Sequence, residues 1–297
     1  MVFKGIITAL VTPFSNNKID FESLSKIIKK QIDGGIKSIV IGGSTGEGSS
    51  LSEEEYYALI QHSVQSSEGK IKIIAGITGV YTEHVCEKIR KLMELEVDGL
   101  MCTVPHYVKP EQSGLLKHFV ALNDASEVPI MIYAHPGRTG CNINDKTLVE
   151  LSNLSNITAL KDATSDIERP LRLGALVKKD FRFLVGDDAM LLAYGANGGE
   201  GCVSVTSNVM PKAMNKIYNL IYKGKNSDAR QLLQRMLPII QAVSCESNPI
   251  GIKYVANMLQ LVSDEIRLPL THAGEETVAK VNEIIPLLNE VENECRL

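Results

Sequence analysis

Eight short apolar runs recur along the chain, about 20 to 33 residues apart. Each is rich in Val, Ile, Leu, Met or Ala, and most show no alternation of apolar and polar positions. Strands of a parallel sheet that is covered on both faces have this unbroken pattern. The runs therefore predict eight buried strands, within residues 5–13, 37–43, 70–77, 98–105, 128–135, 156–163, 181–187 and 201–207.

The segments between these runs have the apolar spacing of amphipathic helices. In "DFESLSKIIKKQIDGG", Asp20 is a candidate N-cap, apolar residues share one face, and two glycines end the pattern. "SEEE" at 52–55 is a capping box that opens the next helix. The pattern continues over residues 82–95 and 165–179, with Pro170 early in the latter, where proline is tolerated best.

Alternating strands and helices predict an α/β fold with a parallel sheet. An open doubly wound sheet is possible, but eight units in about 220 residues favour a closed (β/α)8 TIM barrel. After residue 208 only amphipathic helices follow. We therefore predict a barrel domain over residues 1–223 and a C-terminal helical domain over 224–297. Because no low-complexity linker separates them, the two are expected to pack together.

Composition and charge argue against several classes of function. The 297 residues carry a net charge of −4, contain no Trp and show no long basic run, which argues against a nucleic-acid partner. No stretch of about 18 apolar residues predicts a membrane span, and the N-terminus does not resemble a signal peptide. The six cysteines are scattered without a C-x-x-C pair, which is typical of reduced thiols in a cytoplasmic protein. The histidines lack metal-ligand spacing, so no metal is expected.

Polar residues follow the ends of several predicted strands, which is where barrel enzymes place their active sites. The second, fourth, fifth and sixth strands lead into a group of hydroxyl, amine and guanidinium side chains. This group consists of Ser44, Thr45, Tyr107, Tyr133, Arg138 and Lys161.

Lys161 is the residue of this group with the most specific chemistry. If it is packed among apolar neighbours, its ammonium loses hydration and its pKa should fall. The neutral amine could then attack a ketone and form a Schiff base, which acts as an electron sink. The alternative is a solvated lysine, paired with Asp162 or Asp166.

Each of the other candidates also has two interpretations. Tyr133 could move protons with help from neighbouring hydroxyls, or it could simply pack in the barrel. "GGSTGEG" lacks the pattern of a phosphate loop, but its N–H groups and hydroxyls suit a small carboxylate as well as an ordinary turn. Arg138 could bind a carboxylate through two hydrogen bonds, or form a surface salt bridge. Asp187 and Asp188 favour helix capping over metal binding.

Several motifs in order along the chain resemble one family. They are "GIITALVTPF", "GGSTGEGSSLSEEE", "YAHPGRTG", "ITALKDATSD", "VGDD", "GGEGCVSVTSNVMP" and "SNPIGIKYVANMLQL". Together they closely resemble the dihydrodipicolinate synthase family, within the pyruvate-dependent class I aldolase superfamily. The resemblance runs almost from end to end, and it favours the catalytic interpretation of Lys161.

The resemblance implies a role for each matching residue. Lys161 would form the Schiff base with pyruvate, and Tyr133, Ser44 and Tyr107 would form a proton relay. Tyr107 would reach the site of a neighbouring subunit. The implied binding positions are Thr45 beside the pyruvate carboxylate, Arg138 at the carboxylate of L-aspartate 4-semialdehyde, and the backbone at Gly186 and Val203.

The resemblance also implies the biology. The expected reaction condenses pyruvate with L-aspartate 4-semialdehyde, a step of lysine and diaminopimelate biosynthesis, without metal or organic cofactor. The expected assembly is a homotetramer built as a dimer of dimers. Lysine-inhibited members carry different residues at four positions, namely Tyr56, Val80, His84 and His106 in this chain. We therefore expect weak or absent inhibition by lysine.

Two rival functions remain at this point. N-acetylneuraminate lyase and the 2-keto-3-deoxy-sugar acid aldolases share the lysine and the tyrosine, and Ser44 is closer to the lyase pattern than the threonine usual in the resembled family. Those enzymes generally lack an arginine at the position of Arg138. A barrel that binds or regulates without catalysis is the alternative of another class, and the joint presence of Ser44, Tyr133 and Lys161 argues against it.

Overall fold

The computed structural model describes residues 2–295, and within them eight parallel strands close into a barrel. The first strand hydrogen-bonds to both the second and the eighth, which closes the sheet. The prediction of a TIM barrel is confirmed. The strands are β1 (Gly5–Ala9), β2 (Ser38–Ile41), β3 (Lys72–Ile77), β4 (Gly99–Thr103), β5 (Ile130–Ala134), β6 (Ile157–Asp162), β7 (Arg182–Val185) and β8 (Gly201–Ser204).

Helices alternate with the strands and cover the barrel. Asp20 caps the first one through the Ser23 N–H, and a capping box of Ser52 and Glu55 opens the second, as the sequence predicts. The helices up to the last strand are α1 (Phe21–Asp33), α2 (Glu53–Ser67), α3 (Thr82–Met93), α4 (Gln112–Ala125), α5 (Pro136–Thr139), α6 (Asp145–Ser152), α7 (Arg169–Leu173) and α8 (Leu191–Ala196).

The helix predicted over residues 165–179 is much shorter than expected. Only Arg169–Leu173 is helical, with Pro170 in its first turn. Ser165 has a φ of 66°, which lies in the left-handed region and is incompatible with a right-handed helix. The side chain of Thr164 also bonds to Asp162 and accepts from the Asp166 N–H, which holds this stretch as a turn.

The two faces of the sheet have different cores. Side chains that alternate along the strands point into the barrel and form a small cluster, which includes Met131, Tyr133, Ala159 and Val203. The side chains between them point outward and join a much larger cluster beneath the helices. This alternation determines which residue at each strand end faces the interior.

After the barrel come α9 (Pro211–Tyr222), α10 (Asn226–Val243), α11 (Ile250–Met258) and α12 (Glu275–Glu294). Their apolar residues belong to the same large cluster as the outer face of the barrel. The expectation that the two parts pack together is confirmed, while the division at residue 223, between α9 and α10, stays a prediction. Within residues 2–295, no helix is both long enough and apolar enough to cross a membrane.

Candidate active site

Lys161 points into the mouth of the barrel because of its register in β6. It stands two residues after Ala159, which faces the interior, and directly opposite Tyr133 on β5. Its side chain is only 5% exposed. The ammonium nitrogen lies 4.0 Å from the centroid of the Tyr133 ring, so the amine and the phenol face the same space.

The alternative of a solvated, paired lysine is wrong. Asp162 accepts hydrogen bonds from the Arg169 guanidinium and the Tyr194 hydroxyl, both at 3.3 Å. Asp166 accepts one from Arg172 at 2.7 Å. Across residues 2–295, Lys161 forms no ion pair with any carboxylate. A buried amine without a counterion is costly to the folded state, which is typical of functional positions.

Lys161 lines a cavity of about 360 Å³ at the carboxyl ends of the strands. This volume suits a small organic acid. A second cavity of about 280 Å³ adjoins it and shares several lining residues with it. The structure brings six of the predicted residues together in the first cavity: Ser44, Thr45, Tyr133, Arg138, Lys161 and Gly186.

A tight loop after β2 brings Ser44 and Thr45 to this cavity. Gly42 has a φ of 67°, and a Cβ on Gly48 would lie 1.9 Å from the Gly42 carbonyl oxygen, so the chain can fold back only with glycine there. The hydroxyl of Thr45 accepts a hydrogen bond of 2.9 Å from the Asn248 amide. These contacts fix a hydroxyl at the rim of the cavity.

Arg138 lies on the short helix α5, where Pro136 sets the first turn. Its guanidinium donates a hydrogen bond of 3.4 Å to the Asn248 carbonyl. The alternative of a surface salt bridge is wrong, since no carboxylate of residues 2–295 pairs with this guanidinium. Arg138 is therefore free to bind an anionic ligand in the cavity.

His135 also lines both cavities, and the sequence analysis did not single it out. Its ring meets the Tyr133 ring edge to face, with the centroids 5.9 Å apart. Burial, together with the positive charges of Arg138 and Lys161, lowers the pKa of His135 below its usual range. The shift favours the neutral imidazole, which adds no positive charge beside Lys161.

Two predicted residues lie elsewhere. Tyr107 is 87% exposed and lines neither cavity, and its N–H donates to the Thr139 carbonyl at 3.2 Å. Val203 is buried in the interior cluster, below the cavity that Val205 lines. The roles expected for both stay predictions.

Asp187 is a capping residue, as the sequence favours, while Asp188 lies within the turn that Asp187 caps. Asp187 accepts from the Ala189 N–H and so caps the turn of Asp188–Met190. Asp188 accepts from the N–H groups of Val205 and Thr206. Among the described residues, no cluster of three or more His, Cys, Asp or Glu side chains is arranged to hold a metal ion.

The sequence analysis missed the contribution of the C-terminal helices. Ile240 and Val243 of α10, together with Ser244, Glu246 and Asn248 after it, line the main cavity. The segment "SNPIGIKYVANMLQL" carried part of the resemblance, yet no single residue in it has a reactive side chain at a strand end. Its place at the site follows from tertiary packing, which no local pattern encodes.

Comparison with known proteins gives a consistent result. The sequence model of the dihydrodipicolinate synthetase family matches residues 2–287. The 4-hydroxy-tetrahydrodipicolinate synthases of Rickettsia felis and Rickettsia bellii are 45% and 44% identical to this chain over 288 residues, which cover 97% of this chain and 98% of each relative.

Solved structures agree over a similar extent. Dihydrodipicolinate synthase from Aquifex aeolicus has a TM-score of 0.94 at 34% identity, covering 97% of this chain and 98% of that one. Dihydrodipicolinate synthase from Acinetobacter baumannii in complex with pyruvate has a TM-score of 0.93 at 33% identity, covering 97% of this chain and 99% of that one. A monomeric dihydrodipicolinate synthase variant has a TM-score of 0.94 at 30% identity, covering 97% of each chain. Because the sequence match and the fold match both span nearly the whole molecule, the chain belongs to the dihydrodipicolinate synthetase family.

Proposed function

We propose that this chain condenses pyruvate with L-aspartate 4-semialdehyde to give 4-hydroxy-tetrahydrodipicolinate, in lysine and diaminopimelate biosynthesis. The observation that carries the proposal is the position of Lys161: an inward-facing, buried amine without a carboxylate partner, beside Tyr133 in a cavity that also holds Arg138. A carbonyl substrate and an amine nucleophile can meet there out of bulk water.

The first half of the reaction takes place at Lys161. Its neutral amine attacks the keto carbon of pyruvate, and the adduct loses water to form a protonated imine. The loop bearing Ser44 and Thr45 receives the pyruvate carboxylate. Tyr133 then moves a proton as a methyl C–H bond breaks, and the electron pair flows to the imine nitrogen to give an enamine.

The second half forms the carbon–carbon bond. The enamine carbon attacks the aldehyde of the semialdehyde, whose carboxylate Arg138 holds through charge-assisted hydrogen bonds. The amino group of the semialdehyde then attacks the imine carbon and displaces Lys161, which closes the ring and frees the enzyme. The imine nitrogen serves as the electron sink, so the reaction needs neither a metal nor an organic cofactor.

The proposal includes an oligomer. Ser44 lines the same cavities as Tyr133, whereas Tyr107 of the same chain is exposed beside an exposed Val108. An exposed aromatic next to an apolar residue suits a subunit interface. We propose that Tyr107 completes the relay in a neighbouring copy, within a homotetramer arranged as a dimer of dimers. The six free cysteines fit a reducing compartment such as the cytoplasm.

The experiment that tests this function offers the enzyme two sets of substrates. With pyruvate and L-aspartate 4-semialdehyde, turnover is followed in an assay coupled to dihydrodipicolinate reductase, and with N-acetylneuraminate, pyruvate release is followed. We expect turnover only in the first. Pyruvate release from N-acetylneuraminate without condensation would favour the lyase, whose sequence pattern Ser44 matches more closely. No turnover in either assay, and no trapping of pyruvate by borohydride, would favour a barrel without catalysis.

Gly186 offers a test of how tightly Lys161 is packed. A Cβ at this position would lie 3.0 Å from the Ala163 Cβ and 3.1 Å from the Lys161 Cε. We expect Gly186→Ala to displace the lysine side chain and to raise the pyruvate concentration at half-saturation about tenfold, at a cost in unfolding free energy of about 1–3 kcal/mol.

Steady-state kinetics and chemical denaturation measure the two effects of Gly186→Ala. Gly198→Ala is the control, because a Cβ at that position meets no atom within 4 Å, although its positive φ adds local strain. Unchanged pyruvate kinetics in Gly186→Ala would contradict close packing at the amine.

Inhibition by lysine is expected to be weak or absent. Two of the four positions that differ from lysine-inhibited members, Tyr56 and His84, line a cavity together with Lys88. The ammonium of Lys88 lies 3.4 Å from the centroid of the Tyr56 ring, and the Tyr56 hydroxyl donates to the Gly76 carbonyl. A cationic ligand would meet this ammonium, which pairs with no carboxylate among residues 2–295.

Turnover is measured with and without millimolar lysine, and we expect a decrease of less than about twofold. Lys88→Met serves as the comparison variant, because it removes the repelling charge and keeps the length of the side chain. Strong inhibition of the unmodified enzyme would show this prediction to be wrong.

A further inference from the structure

We propose that the buried ion pair between Glu47 and Lys253 is a positioning device for the pyruvate-binding loop, residues 44–48. This inference rests on the proposed function, since it concerns how that loop receives the pyruvate carboxylate. Lys253 lines neither cavity, whereas Glu47 lines the smaller one, so Lys253 acts on the site through Glu47.

The pair joins the barrel to the C-terminal helices and is shielded from water. Lys253 of α11 is fully buried and Glu47 is 4% exposed, and the nitrogen–oxygen distance is 2.5 Å. The ammonium also donates to the Glu265 carbonyl at 2.7 Å, and the second carboxylate oxygen accepts from the Arg267 N–H at 3.0 Å. These hydrogen bonds therefore fix both the position and the orientation of the two charged groups.

The same two segments meet at a second point. Asn248, just before α11, donates to the Thr45 hydroxyl, while Lys253 on α11 binds Glu47 two residues further along the loop. From the barrel side, the Thr12 hydroxyl donates to the Gly46 carbonyl at 2.6 Å. Consecutive loop residues thus form hydrogen bonds to different elements. The pair of Glu47 and Lys253 is the only ion pair that the described residues form with this loop.

The backbone of the loop requires such a tie. Glu47 has a φ of 52°, in the left-handed region that a residue with a side chain rarely adopts. A conformation of this kind persists only where the surroundings hold it. Uncharged side chains of similar size at 47 and 253 would fill the same volume but would not form the ion pair, so we expect Thr45 and Ser44 to shift from their places.

The experiment uses the double variant Glu47→Gln/Lys253→Met in the full-length enzyme. Each single substitution leaves a buried charge unpaired and is expected to destabilise the fold, whereas the double substitution removes both charges. Its matched control is Glu276→Gln/Lys280→Met, which removes an exposed pair of 2.7 Å on α12. Borohydride trapping of pyruvate on Lys161 is measured against pyruvate concentration, and folding is followed by thermal denaturation.

We expect the double variant to fold, with a pyruvate concentration at half-saturation raised about tenfold to a hundredfold and the trapping rate at saturating pyruvate unchanged. The control should match the wild type in all respects. A double variant that folds and has the wild-type pyruvate concentration at half-saturation, or one that does not fold, would assign the pair to stability. Either result would overturn this inference but leave the proposed function standing. No trapping in the wild type would overturn the proposed function and this inference with it.

Discussion

Replacing Lys161 with alanine is expected to lower turnover by about 10⁴-fold or more, because the nucleophile that binds pyruvate covalently is lost. No other amine among the described residues lines the cavity, so no neighbouring lysine can take over. The free energy of unfolding is not expected to fall. A buried ammonium without a carboxylate partner is costly to the folded state, and its removal relieves that cost.

Borohydride trapping with pyruvate, followed by mass spectrometry, checks this prediction. The wild type should gain the mass of the reduced adduct at Lys161, and Lys161→Ala should gain nothing. Lys161→Arg keeps the positive charge but cannot form the imine, and it should be equally inactive. Lys179→Ala, at an exposed position, should behave like the wild type. Turnover that survives in Lys161→Ala would refute the proposed mechanism.

The barrel itself could be predicted because its strands are buried on both faces. Short unbroken apolar runs such as Ile130–Ala134 indicate buried parallel strands, because they are shorter than a helix and rich in β-forming residues. The helix expected over 165–179 forms only at Arg169–Leu173, and the reason is local. Its apolar spacing was helical, but the turn through Thr164 and Ser165 used side-chain hydrogen bonds that a periodicity argument does not weigh.

The candidate site was predictable only in part. Strand ends identify Ser44, Tyr133 and Lys161, since the geometry of a barrel brings the carboxyl ends of its strands together. Asn248 and Lys253 were missed because they reach the loop at 44–48 from about 200 residues away in sequence. The place of Tyr107 depends on a neighbouring copy, so a single chain leaves it as a prediction.

Tyr133→Phe is expected to lower kcat by about 10²-fold to 10⁴-fold, the usual contribution of a positioned proton donor and acceptor. The substitution removes one oxygen and keeps the ring, so the contact of 4.0 Å between the Lys161 ammonium and the ring centroid is preserved. Pyruvate should therefore still be trapped by borohydride at saturating concentration, but more slowly. This separates proton transfer from binding, which a larger substitution could not do.

The measurement that isolates proton transfer is the exchange of the pyruvate methyl protons with deuterium from solvent, followed by NMR without the second substrate. Exchange requires the enamine, so it should slow in Tyr133→Phe in step with kcat, whereas binding alone would leave it unchanged. Tyr222→Phe, 70% exposed and remote from the cavity, is the matched control. If exchange and kcat both stay at wild-type values in Tyr133→Phe, the phenol only packs beside the amine. Another group that lines the cavity, such as His135, must then carry the proton.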